Sequence, residues 1–365
     1  MQSVMKYEER IVFALREQYR RYGYQQFKMR KFEEYDLYAR NKDFLVSDNI
    51  ITFTDLNGAL MALKPDVTLS IVRSSRDGAG VQKVYYNENV YRVSGASKSF
   101  REIMQTGIEC IGDVDDYCIA ETLMLAVESL RTISPDCVLE LSHLDIVSAL
   151  VDALGTEGAA RREILRCIGE KNLHELDALC AGCDGAALQR LKALVRTSGA
   201  PDAVLPALRE LGCPSAAVAQ LENLTRSLEA MGLGQYLRID FSVVNDMNYY
   251  NGIVFKGFVS GVPSGVLSGG QYDKLMRKMR RSARAIGFAV YLDMLERLAG
   301  EGEAVDVDTV LLYDAGTPAA ALLRAVQALS DGGQSVSAQR AVPEKLRFRR
   351  LCALVGDEVK DIETA

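Results

Sequence analysis

Two changes of texture along the chain constrain its fold more than any other feature. From about residue 50 to 145 the sequence is strand-like, from about 146 to 232 it runs in Leu/Ala-rich helical periods, and from 233 the strand pattern returns. A helical block that interrupts strand texture and then gives it back predicts an insertion into one sheet, not a boundary between two folds. The main domain is therefore expected to be discontinuous.

Local signals fill in this outline. Residues 5–21 place Met5, Ile11, Val12, Leu15 and Tyr19 close to helical spacing, and the pattern breaks at Gly23. IITFTD and ALMAL flank a hairpin-type turn at Asn57-Gly58, a helix opens at Asp66, and VQKVYYNENVYRV and IMQTGIECIG read as strands. Residues 116–131 form an amphipathic helical pattern, followed by the strand CVLELSHL. Past the insertion come the strands YLRIDFSVV and YYNGIVFKGFV, a Gly/Pro-rich turn, and AIGFAVYLDMLERLAG, read as a closing helix. Beyond the acidic linker GEGEAVDVD the order is strand (TVLLY), helix (PAAALLRAVQALSDGG), strand (SVSAQ), helix (PEKLRFRRL), strand (CALVG). The expected class is α+β, a mostly antiparallel sheet flanked by helices. Residues 1–145 and 233–302 make the main domain, 146–232 the helical insertion and 305–365 a small α/β unit.

Composition narrows the function classes. With 365 residues, 48% hydrophobic and 25% charged, the chain is neither disordered nor fibrous. It has no apolar run of about 18 residues, and its start alternates charge with apolar residues, so neither a membrane span nor a secretory signal is expected. A cytoplasmic address follows. Lys and Arg number 43 against 49 Asp and Glu, a net charge of −6, which argues against a polyanion as main partner. The stretch 305–365 carries seven Lys and Arg against nine Asp and Glu, so no nucleic-acid partner is expected there either. Eight cysteines without framework spacing read as reduced, mostly buried thiols, and Cys180-Ala-Gly-Cys183 lacks the second pair a zinc site needs. Neither histidine, His143 nor His174, sits in an H-x-E or HExxH pattern. No metal or cofactor is expected.

Four stretches hold unusual polar residues. Asp66 and Thr68 follow Pro65 and open a helix, which helix capping alone would explain. Gln105, Gly107 and Glu109 share one face of a strand; the glycine leaves space for a bound polar group, and a solvent-facing strand fits equally well. Tyr249 and Tyr250, before the turn glycine Gly252, suit either core packing or a ligand wall. Gly269-Gly270, before Gln271-Tyr272, lets the backbone approach something closely, and the six basic residues from Lys274 to Arg284 fit a solvated face or a phosphate.

In this order and spacing the stretches resemble the catalytic domain of histidyl-tRNA synthetase, a class II synthetase, over most of residues 5–300. TFTDLNGALMALKPDVTLSIVR is similar to the stretch whose core reads LRPEGT; VYYNENVYR with FREIMQTGIECIG is similar to motif 2. VVNDMNYYNGIVF is similar to the histidine signature RGLDYY, and VLSGGQYDKL with AIGFAVYLDML to the glycine-rich strand and motif 3. The 309–365 unit resembles the anticodon-binding domain in texture only. The departures are informative: Asn245 stands at the arginine of RGLDYY, Met294 at the ATP arginine of a GLER-like run, Ser94 at the acid of motif 2, and Arg30 at the motif 1 proline. Two missing cations and a missing acid argue against an adenylating enzyme, which relies on such groups to stabilise developing charge.

The histidine pocket departs less. The resemblance assigns Asp66 and Thr68 to the ammonium, Gln105 to the amino-acid backbone, Glu109 and Tyr250 to the imidazole, Tyr249 and Tyr272 to the walls, and leaves Arg92 for the carboxylate. Asp66 is one methylene shorter than the family's Glu. This combination, with IDFSVVNDMNYYNGIVFKGF, resembles the regulatory subunits of ATP phosphoribosyltransferase. The resemblance implies no catalytic residue, a short-form ATP phosphoribosyltransferase catalytic subunit as partner, feedback inhibition by histidine, and a homodimer, paired around residues 23–40, within a hetero-oligomer. The alternatives are a pseudo-synthetase that serves another partner and an active histidyl-tRNA synthetase.

Overall fold

The computed structural model describes residues 5–42, 45, 49–75, 78, 80–93, 99–244, 249–298 and 305–364. Two compact units divide the chain, Met1–Leu298 and Ala299–Ala365.

The first unit opens with α1 (Tyr7–Arg21), which buries Ile11, Val12, Leu15 and Tyr19 on one helical face. The short β1 (Gln25–Gln26) and β2 (Phe32–Glu34) lead to α2 (Tyr35–Ala39), and β3 (Thr52–Thr54) and β4 (Leu60–Leu63) lead to α3 (Thr68–Ser74). The long strands β5 (Val81–Val93) and β6 (Phe100–Gly112) pair antiparallel along their whole length. Next come α4 (Asp116–Ile133), β7 (Cys137–His143) and the helical block: α5 (Leu144–Asp152), α6 (Gly158–Gly169), α7 (Leu173–Leu179), α8 (Gly185–Arg196), the two-residue β8 (Ser198–Gly199), α9 (Pro201–Glu210) and α10 (Ser215–Ala230). The unit closes with β9 (Leu237–Asp240), β10 (Asn251–Val259), β11 (Leu267–Gln271), α11 (Asp273–Lys278) and β12 (Arg284–Tyr291).

Nine strands form one sheet in the order β1-β5-β6-β12-β11-β10-β7-β9-β8, and β2-β4-β3 form a separate small sheet. Strand β9, on the far side of the helical block, lies parallel to β7 and rejoins the same sheet. Leu150, Ile164, Leu191 and Leu221 of the block share one core with Leu139, Leu141, Ile239 and Phe255 of the sheet. The inserted helices thus have no separate core, and their apolar faces depend on the sheet they interrupt.

The expected closing helix over AIGFAVYLDMLERLAG is instead strand β12, running into 3₁₀ turns over Leu292–Leu298. Pairing decides it: β12 is bonded to β6 on one side and β11 on the other, and a helix would leave both neighbours' backbone groups unpaired.

In the second unit, β13 (Val307–Leu312), α12 (Ala319–Ser330), β14 (Val336–Gln339), β15 (Phe348–Val355) and β16 (Glu358–Thr364) form a sheet in the order β14-β13-β15-β16. The helix expected over PEKLRFRRL is mostly loop and the start of β15, and β16 was not anticipated. Arg347 and Arg349 reach Asp306 (3.4 Å) and Asp308 (3.1 Å), and Arg350 reaches Asp361 (2.5 Å), so the basic residues are satisfied across strands. Among the described residues no helix is long and apolar enough to cross a membrane, and no group of three or more His, Cys, Asp or Glu could hold a metal ion.

Candidate functional site

One face of the central sheet carries a cavity of about 410 Å³ whose lining includes all eight residues singled out in the sequence: Asp66, Thr68, Arg92, Gln105, Glu109, Tyr249, Tyr250 and Tyr272. Strand register explains the convergence. Gln105, Gly107 and Glu109 of β6 lie opposite Tyr291, Ala289 and Gly287 of β12, so one face of each strand meets over the same floor. Tyr86 on β5 pairs with Gly107 and also lines the cavity.

Glycine makes room for side chains of the chain itself, not for a ligand. A Cβ at Gly107 would collide with the Phe288 carbonyl and the Tyr86 hydroxyl, and one at Gly287 with the Glu109 carboxylate. The space expected above Gly107 is therefore filled by Tyr86. Likewise Gly269 and Gly270 admit Phe288 and Phe255, and Tyr250 and Val254, respectively.

Glu109 is 2% exposed and accepts hydrogen bonds from the Thr68 hydroxyl (2.8 Å to Oε1) and the Tyr272 hydroxyl (2.6 Å to Oε2). Burial pushes its carboxyl up to about 8, against the pull of those two donors. Burial also raises Asp66, opposed first by Arg92. Asp66 accepts the Leu69 N–H at 2.8 Å, so it caps α3 as well as lining the cavity. Arg92 donates from Nε to the Pro65 carbonyl (2.7 Å) and lies 3.7 Å from Asp66. Gln105 is 3% exposed, and its Nε2 has no hydrogen-bond partner among the described residues. An orphaned buried donor of this kind costs about 1–3 kcal/mol until an acceptor arrives.

The tyrosines close the cavity. Tyr249 packs against Tyr250 (ring centroids 4.4 Å apart) and Tyr272 (5.8 Å). A bulge in β10 between Asn251 and Val254 places them, with Gly252 at φ +58 and the Ile253 N–H donating to Gln271 Oε1 at 2.9 Å. Burial holds the phenols of Tyr86, Tyr249, Tyr250 and Tyr272 well above their ordinary value, so they act as neutral hydroxyls. Tyr86, Ser268 and Tyr291 complete the polar lining and escaped the sequence reading. A signal for Tyr86 existed in Gly107, since a glycine on a strand marks a large neighbour opposite, but only register names the neighbour.

Among the departures, Met294 is exposed and outside the cavity, its sulfur 3.5 Å from Ser264 Oγ. Asn245 and Ser94 lie outside the described residues.

The histidyl-tRNA synthetase family model matches residues 2–295. An ATP phosphoribosyltransferase regulatory subunit of Clostridium kluyveri is 30% identical over 315 residues, 82% of this chain and 80% of that protein. Among solved structures, an ATP phosphoribosyltransferase regulatory subunit/histidyl-tRNA synthetase from Bacillus halodurans superposes with a TM-score of 0.77 at 24% identity, covering 96% of this chain and 94% of that one. The ATP phosphoribosyl transferase HisG:HisZ complex of Thermotoga maritima gives 0.63 at 20%, covering 78% and 97%. The sheet and its helices are thus the class II synthetase fold, and the chain belongs to the family of ATP phosphoribosyltransferase regulatory subunits, non-catalytic proteins built on the histidyl-tRNA synthetase frame.

Proposed function

We propose that this chain activates a short-form ATP phosphoribosyltransferase catalytic subunit in the cytoplasm and conveys feedback inhibition by free histidine bound in the β6–β12 cavity. One observation carries the reading: a buried carboxylate, Glu109, and an unpaired buried amide, Gln105, face one cavity four strand residues apart. Glu109 accepts the imidazole N–H, Gln105 donates to the amino-acid end, and Asp66 receives the ammonium. Arg92, already beside Asp66, serves the carboxylate by turning part of its guanidinium to the ligand. A zwitterion inserted between Asp66 and Arg92 gives each the opposite charge it now takes from the other. The same chemistry leaves no group in place of the ATP arginine, because Met294 holds that position.

The chain works as a homodimer within the hetero-oligomer. The β2-β4-β3 sheet supports this, since Phe32 (46% exposed) and Phe53 (38%) form an unburied aromatic pair on one of its faces, the two rings edge-on at 5.5 Å.

The test is to purify the chain with a short-form catalytic subunit and assay phosphoribosyl transfer with and without it, then with added histidine. Activity that needs this chain and falls with histidine in wild type, but resists histidine in Glu109→Gln, is expected. Activity that ignores the chain, or inhibition unchanged in Glu109→Gln, overturns the activation or the sensing half respectively.

A further inference from the structure

Two of the cysteines meet at a turn in the inserted helices. Cys180 closes α7, and Cys183 stands one residue before Asp184, the N-cap of α8. The Cys183 N–H donates to the Cys180 carbonyl at 2.9 Å, so the two residues are the first and last of a β-turn. A turn closed in this way holds its end Cα atoms within about 7 Å, and a disulfide spans about 4.4–6.8 Å between Cα atoms. The side chains converge as well, since the Cys180 thiol is hydrogen-bonded to the Cys183 sulfur. Burial separates the two. Cys180 is 1% exposed, whereas Cys183 is partly exposed, and Ala181 and Gly182 between them face solvent, with open space around Gly182. A small molecule can therefore reach Cys183 from outside, with Cys180 directly behind it. The neighbouring pair Cys110 on β6 and Cys118 on α4 is also in contact but has no such opening, at 0% and 5% exposed.

We infer that Cys180 and Cys183 form a thiol–disulfide exchange site for low-molecular-weight disulfides, with Cys183 as the attacking thiol and Cys180 as the resolving one. The Cys183 thiolate attacks one sulfur of the small disulfide. That S–S bond breaks, a mixed disulfide forms on Cys183, and one small thiolate leaves and takes up the proton that Cys183 gave up. Cys180 then loses its proton and attacks the Cys183 sulfur, the mixed disulfide breaks, and the second small thiol leaves. Two protein thiols and one small disulfide become one protein disulfide and two small thiols, so the small disulfide is the only oxidant required. The surroundings set the order of attack. Burial, and next the charge of Cys183, push the Cys180 thiol up to about 11, which makes it a poor first nucleophile. In the mixed disulfide Cys183 carries no charge, so the second of these causes disappears while the turn keeps the two sulfurs adjacent.

The reduced, folded, full-length chain tests it with glutathione disulfide as the probe at mildly alkaline pH, sampled over time, quenched with iodoacetamide and mapped by peptide mass spectrometry. Wild type is expected to pass through a glutathione adduct on Cys183 and to end with a Cys180–Cys183 bridge, which dithiothreitol reopens. Cys180→Ser should stop at the Cys183 adduct, and in Cys183→Ser the Cys180 thiol should react about tenfold or more slowly than Cys183 does in wild type. Should thermal unfolding show that serine at this buried position weakens the fold, Cys180→Ala takes its place. Wild type that does not react, or whose Cys183 adduct persists without a bridge, overturns the inference. So does a bridge from Cys180 to Cys167, the other thiol whose charge bears on it, or reaction of Cys110 and Cys118 as fast as Cys183, which would make access indifferent to the turn.

Discussion

Glu109 concentrates the chemistry of the cavity in one side chain. Its carboxyl is raised from 4.5 to about 8 by burial, so the folded chain keeps a proton that the unfolded chain releases. Its contribution to stability is present below about 4.5 and is lost as the pH rises through about 8. In the absence of histidine, the Tm of wild type should therefore fall between pH 5 and 9 relative to Glu109→Gln, which carries no titrating group there. Parallel profiles would show that the carboxyl is not perturbed. At pH 8.5, where Glu109 is ionised, the same substitution should weaken histidine about ten- to a hundredfold in calorimetry, the value of a hydrogen bond to a charged acceptor of about 1.5–3 kcal/mol. At this scale the sequence was informative, because Asp66, Thr68, Gln105 and Glu109 stand in motifs that can be matched. Tyr86, Ser268 and Tyr291 lie inside matched stretches too, but nothing in the match singles them out, since each enters the cavity only through its register partner.

At the scale of elements, the cavity depends on strands whose small residues fit their neighbours. Gly287→Ala would put a methyl group against the Glu109 carboxylate and the Ile108 carbonyl. Overpacking of this kind costs about 1–3 kcal/mol, and here it should also abolish histidine binding, measured by chemical denaturation and calorimetry together. The join between sheet and inserted helices gives a second expectation. His143, at the end of β7, accepts the Asp145 N–H at Nδ1 (3.3 Å) and meets Gln220 Oε1 on α10 through Nε2 (3.1 Å), and Gln220 in turn donates to Asp116 on α4 (2.8 Å). This fixes the neutral ring with its proton on Nε2. Burial lowers its basicity, with Asp145 opposing, so the unfolded chain takes up a proton near pH 6.5 that the folded chain refuses. Stability present above about 6.5 is lost as the pH falls. Thermal unfolding at pH 5 and 7.5 should show a larger acid loss in wild type than in His143→Gln; equal losses would exclude this residue as the cause.

On the scale of the whole molecule, every residue lining the cavity belongs to the first unit, Met1–Leu298. A chain ended after Leu298 should bind histidine within about threefold of full length, well under the tenfold that corresponds to 1.4 kcal/mol. A larger loss by calorimetry would assign the second unit a part in the site. Dimerisation belongs to this scale too. Light scattering at micromolar concentration should give twice the chain mass for wild type, and replacing Phe32 and Phe53 together by Ser should shift it towards the monomer.

The order of the elements lay in the sequence, because the periods of two and 3.6 are local properties and the change of texture at 146 and 233 shows wherever the chain lies in space. The matching motifs put most of the candidate site within reach for the same reason. Tertiary structure decided what a local period cannot. AIGFAVY and LRFRRL carry apolar spacings that suit a short helix or a strand, and each became a strand because it lies between two others, β12 between β6 and β11, and β15 between β13 and β16. Burial of Lys64, fully enclosed and paired with Glu88 at 2.8 Å, is likewise invisible in the run LKPDVT, since it exists only once β5 lies beside the entry to α3. The cavity is of the same kind. Its floor is a set of pairings between strands far apart in the chain, and which side chain a glycine makes room for is settled only when the strands come into register.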